Sequence, residues 1–106
     1  MSDYVRACAV DDVPESTALR VVLDGVPVCM VRSDGEFYAI HDVCSHADVP
    51  LSEGDVDDGT IECWLHGSRF DLTTGHPTGL PATRPVPVYT VKRDGDDLLV
   101  CLEENQ

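Results

Sequence analysis

The sequence predicts an all-β fold, an antiparallel sandwich or small barrel, on three observations. Asp-Gly pairs recur at Asp24-Gly25, Asp34-Gly35, Asp58-Gly59 and Asp94-Gly95, each beside a short run rich in β-branched residues, which is a strong hairpin-turn signal. No long segment sustains the 3.6-residue apolar period of an amphipathic helix. The apolar runs are short and closely spaced, as in sandwiches and barrels. In order, the predicted strands cover residues 4–8, 18–23, 26–32, 37–41, 60–64, 87–93 and 97–102. Pro85 and Pro87 place the sixth at an edge or at a strand start. A short helical turn is expected over 10–14. Two segments, 42–58 and 66–85, escape the strand pattern, and long loops in a compact domain are commonly functional.

The chain of 106 residues, 42% apolar, is read as one domain, 1–106, with one modest core. No apolar run approaches the roughly 20 residues that span a bilayer. The start, Met1-Ser2-Asp3-Tyr4, lacks a basic region and apolar stretch, so a cytoplasmic protein with no membrane partner is expected. Twenty acidic against seven basic residues give a net charge of −13. Nucleic acid is therefore disfavoured as a partner, because binding it rests on neutralising phosphates. An acidic surface could steer the chain to a basic patch on another protein or merely keep it soluble. Five cysteines do not make a disulfide framework. Cys8, Cys29 and Cys101 lie in strand-like apolar runs and read as small buried hydrophobes.

Cys44 and Cys63 differ, because each has a histidine close behind it. The first loop reads Cys44-Ser45-His46 and the second Cys63-Trp64-Leu65-His66, with 16 residues between His46 and Cys63. Four N/S ligands on two loops admit tetrahedral zinc or an iron–sulfur cluster. Zinc fingers usually place paired cysteines on one knuckle and paired histidines on a helix. Here Cys and His alternate and neither pair falls on a predicted helix. An alternating supply suits a binuclear cluster in which each loop gives one ligand to each iron.

The pattern C-x-H-x₁₆-C-x-x-H, followed by Gly67-Ser68-Arg69-Phe70-Asp71, resembles the two cluster-binding boxes of the Rieske family. The similarity continues through Leu72-Thr73-Thr74-Gly75 and Gly79-Leu80-Pro81-Ala82. It implies an antiparallel β-sandwich with a small cluster-binding subdomain, at about residues 42–85. It further implies one [2Fe–2S] cluster on Cys44, His46, Cys63 and His66, and a proline loop, here Pro81, packing over the cluster. In the family the histidines coordinate through Nδ1 and leave Nε2 at the surface. Trp64 and Leu65 are expected to wall the cluster or to pack on a partner. His41 and His76 read as structural or surface residues.

Two departures from respiratory Rieske proteins are visible. The positions of their extra disulfide-forming cysteines are matched by Val49 and Leu65. Ser68 keeps a hydroxyl able to donate to a cluster sulfide, but the family tyrosine two residues on is Phe70. Fewer donors destabilise the more negative reduced state, so a low potential is expected. These features resemble soluble Rieske ferredoxins: monomeric one-electron carriers between a ferredoxin reductase and a terminal acceptor, most often a non-haem iron oxygenase. The chain itself is expected to turn over no substrate. The stretches around His41–His46 and Leu80–Pro87 also resemble ferredoxins of iron–sulfur cluster assembly systems. A zinc-stabilised interaction module and a small subunit fixed to an enzyme are the other readings that the residues admit.

Overall fold

The computed structural model describes residues 4–44, 49–65, 67–78 and 84–104. Among them are nine strands: β1 (Tyr4–Ala9), β2 (Thr17–Leu23), β3 (Val26–Ser33), β4 (Glu36–His41), β5 (Val56–Asp57), β6 (Thr60–Glu62), β7 (Arg69–Asp71), β8 (Val88–Asp94) and β9 (Asp97–Glu104). They form a six-stranded sheet of order β1-β9-β8-β4-β3-β2 and a three-stranded sheet of order β5-β6-β7. Every pairing is antiparallel. The expected all-β architecture is observed, and the smaller sheet lies, in chain order, between β4 and β8.

The Asp-Gly pairs explain the hairpins. Asp24, Asp34 and Asp58 have φ near +50°, and Gly25, Gly35 and Gly59 have φ of +75° to +79°. Two consecutive positive φ values define the type I′ turn, whose twist matches that of the flanking strands. The fourth pair is used differently. Asp94 ends β8 opposite Asp97, so the loop is Gly95-Asp96 and only Gly95 has positive φ (+62°). Glycine at the first central position is the type II′ arrangement.

β3 sits inside the large sheet and is buried on both faces. Val28 and Met30 face one core cluster, with Val13, Ala39, Leu98 and Val100. Cys29 and Val31 face the other, with Ile40, Leu51, Ile61, Phe70 and Leu72. This alternation is the two-residue period of a strand, and it ties the small sheet to the large one through a shared apolar layer. Ser33 adds a polar tie, its Oγ accepting the Gly59 N–H at 3.0 Å across the two sheets.

Several predicted boundaries differ from the structure. The strand predicted over 60–64 stops at Glu62, because the Cys63 N–H donates to the Ser68 carbonyl and the Cys63 carbonyl accepts the Gly67 N–H. The strand predicted from Pro87 starts at Val88; Pro87 has no N–H for the ladder, although its carbonyl accepts the His41 N–H. The helical turn expected over 10–14 is a 3₁₀ turn at Val10–Asp12. The segments read as strand-free contain β5, β7 and a second 3₁₀ turn at Leu51–Glu53.

Candidate metal centre

The first loop leaves β4 at His41 and is closed at two levels. At its neck, the side chain of Asp42, fully buried, accepts from the Ser52 N–H (2.7 Å) and the Ser52 hydroxyl (2.8 Å). Arg20, reaching from β2, donates to the same carboxylate at 3.1 Å. Further in, the Cys44 N–H donates to the Val49 carbonyl at 3.0 Å. Cys44 is thereby held at a fixed place on a short closed loop. Beside it lies an open cleft of about 340 Å³ lined by Arg20, Asp42, Val43, Val49 and Pro50.

The second loop caps the β6–β7 hairpin. Its ends are the Glu62–Arg69 pair. Within it the Cys63 N–H donates to Ser68 and the Gly67 N–H to Cys63, while Gly67 takes φ +77°, a conformation that glycine adopts without strain. Cys63 and Ser68 are buried, whereas Trp64 and Leu65 project outward at 49% and 41% exposure.

Behind this hairpin the chain folds back along β7. Phe70 pairs with Pro77, and the Thr78 N–H donates to the Arg69 carbonyl. Asp71 is wrapped by its own turn, accepting from the Thr73 N–H at 2.8 Å, the Thr73 hydroxyl and the Thr74 N–H. The Thr73 hydrogen bonds hold the Asp71 carboxyl below its usual range. Gly75 then passes so close to the next segment that its carbonyl accepts the Val86 N–H.

Cys44 and Cys63 belong to one buried cluster with Leu51, Phe70 and Leu72. All five cysteines lie among the described residues and none is in a disulfide. Two unbridged thiols in a shared apolar surround, each on a loop locked by backbone hydrogen bonds, fit the thiolate half of an iron–sulfur site. His46, His66 and Pro81, the other sequence-predicted site residues, lie outside the described residues. Among the described residues, accordingly, no three metal-ligating side chains converge.

Cys8, Cys29 and Cys101 are buried away from solvent as expected, and burial pushes the Cys29 thiol well above its ordinary value. His41 has its Nδ1 3.3 Å from the Tyr89 hydroxyl, and His76 is exposed. The Asp42 neck was not singled out from the sequence. The signal available for it was an acidic residue following the apolar run of β4, where burial demands partners.

A buried pair of unbridged cysteines on two loops of an all-antiparallel fold defines the class, and the chain belongs to the Rieske [2Fe-2S] domain family, whose model matches residues 3–90. It is 46% identical over 103 residues to the 3-phenylpropionate/cinnamic acid dioxygenase ferredoxin subunit of Shigella boydii serotype 4, covering 96% of each chain. Among solved structures, it superposes with TM-score 0.90 on the ferredoxin of carbazole 1,9a-dioxygenase from Nocardioides aromaticivorans IC177, at 38% identity over 96% of this chain and 100% of that one. A chain in the complex of reduced oxygenase and oxidised ferredoxin of carbazole 1,9a-dioxygenase matches with TM-score 0.91 and 34% identity, over 100% of this chain and 99% of that one. The protein is an electron carrier with a Rieske-type [2Fe–2S] cluster, an electron-transfer component and not a catalyst in its own right.

Proposed function

We propose that Cys44 and Cys63 hold one iron and His46 and His66 the other, and that the chain passes single electrons from a ferredoxin reductase to a terminal Rieske-type non-haem iron oxygenase. It does so in the cytoplasm, as a monomer. The observation that carries this reading is the shared burial of Cys44 and Cys63 on two separately closed loops. One thiolate per loop is the supply that a two-jawed cluster site requires. The dioxygenase ferredoxins among the relatives favour the oxygenase as acceptor over iron–sulfur cluster assembly.

When bound, the cluster supplies a one-electron redox change at a potential set by its surroundings. The chain does the rest. Leu51, Phe70 and Leu72 keep water from the thiolates. Ser68, buried five residues beyond Cys63, accepts the Cys63 N–H through its backbone carbonyl; its hydroxyl would be the donor to a cluster sulfide, and Phe70 has no donor to offer. Trp64 and Leu65 present an apolar surface next to the ligands on which a partner can close. Such a surface excludes water from the electron's exit without demanding a tight complex.

The test is reconstitution. Purified holoprotein replaces the ferredoxin subunit in a 3-phenylpropionate/cinnamic acid dioxygenase assembled with its own reductase and oxygenase. Substrate-dependent NADH oxidation restored by the added chain supports the reading. A reduced chain that is never reoxidised by the oxygenase contradicts it.

A further inference from the structure

We infer that Asp42, with Arg20 and Ser52, is a positioning and charge-setting device for the cluster, an inference that rests on Cys44 being a ligand. Asp42 is fully buried and ionisable, two residues before Cys44. Both carboxylate oxygens are engaged, Oδ1 by the Ser52 N–H and Oδ2 by the Ser52 hydroxyl and Arg20. A buried charge is costly unless paired. Its partners here divide the work. Ser52 gives it two short bonds that fasten the loop neck, and Arg20 gives it a counter-charge at 3.1 Å.

The two charges lie in different surroundings. The Asp42 side chain has no exposed surface, whereas the Arg20 side chain, beside it on the wall of the cleft, is 44% exposed. Solvent screens Arg20 more than Asp42. The pair therefore presents a net negative field to the Cys44 loop despite formal neutrality. Reduction adds negative charge to the site, so this field opposes it and holds the potential down. Asp42 acts through Cys44 and its surroundings, so it is a positioning residue.

The experiment is a redox titration of three holoprotein variants, with cluster release in chelator followed in parallel. Asp42→Asn keeps one of the two acceptor oxygens that Ser52 uses and removes the charge; the reduced-to-oxidised ratio at fixed ambient potential rises of order tenfold, about 59 mV for one electron. Arg20→Gln leaves the carboxylate unopposed and shifts that ratio the other way, by about threefold because Arg20 is the more screened. Ser52→Ala keeps both charges; the potential stays while the cluster is released faster. Opposite shifts for Asp42→Asn and Arg20→Gln are the signature. Shifts of the same sign, or none in either, overturn the inference and leave a purely structural neck. If Asp42→Asn does not load a cluster, Arg20→Gln decides alone: a fall in potential supports the device, and a rise or no change overturns it. A failure of the ligand assignment shows separately, as the absence of a Rieske signal in the unaltered protein.

Discussion

Gly54 lies against the main chain of Glu62 so closely that a β-carbon on it would stand 1.6 Å from the Glu62 carbonyl oxygen. This seam joins the end of the first cluster loop to the strand that delivers Cys63. The Glu62 N–H donating to the Asp55 carbonyl at 2.8 Å reinforces it. Because the obstacle is backbone, no side-chain rotation relieves it. Gly54→Ala should destabilise the fold by about 3 kcal/mol. It should also accelerate cluster loss. Thermal unfolding of holoprotein, followed by visible absorption, checks both.

Gly75 and Gly25 separate two costs of replacing glycine. Both have φ near +79°, but a β-carbon at Gly75 would meet the Val86 carbonyl at 2.1 Å, whereas at Gly25 nothing lies within 4 Å. Gly25→Ala should cost only the conformational term, about 1 kcal/mol. Gly75→Ala should cost about 3 kcal/mol or more, because the backbone must also part. Equal losses in chemical denaturation would show that the Gly75 approach does not matter.

The turn around Asp71 carries a pH dependence of known sign. Its folded-state pKa is depressed from the ordinary 3.8, chiefly by Thr73. A depressed carboxyl adds stability above its unfolded pKa and loses it as pH falls through the folded value. The difference in stability between the natural chain and Asp71→Asn should be full at neutral pH and shrink below about pH 4. Denaturation at pH 7 and pH 3 measures it. A difference independent of pH would mean that the carboxylate's charge is not what the turn holds.

Phe70 bears on the potential. It is fully buried two residues beyond Ser68 and has no donor. The protein should therefore sit in the lower part of the Rieske range of about −150 to +300 mV. Phe70→Tyr should raise the potential if the new hydroxyl reaches a cluster sulfur. A natural potential above about +200 mV would contradict this account of the range.

Trp64 tests the proposed exit. At 49% exposure it contributes little to the core, so Trp64→Ala should leave the potential and the unfolding midpoint nearly unchanged. The rate of reoxidation by the oxygenase should fall about tenfold or more, as for an aromatic interface anchor. An unaltered rate would place docking elsewhere.

Most of this architecture is written locally in the chain. Three Asp-Gly pairs are type I′ turns because Asp tolerates, and Gly favours, positive φ, so the hairpins they close were legible from dipeptides alone. Asp94-Gly95 misleads by one residue, since only the register of β8 against β9 decides which residues cross over. β5 and β7 are two and three residues long, too short for alternation to appear. They form because the core shared by Ile61, Phe70 and Leu72 pulls them together. The placement of Cys44 and Cys63 together followed from their motif. The neck at Asp42 did not, because its meaning lies in Arg20 and Ser52, partners remote in sequence.

The most direct test of the central claim is electron paramagnetic resonance of the reduced protein, purified without air and labelled with ¹⁵N-histidine. Ligation by Cys44, Cys63, His46 and His66 predicts a signal with an average g below that of an all-cysteine cluster, and nitrogen couplings from two imidazoles that change with the label. A signal with all-thiolate average g and no histidine nitrogen coupling would contradict it.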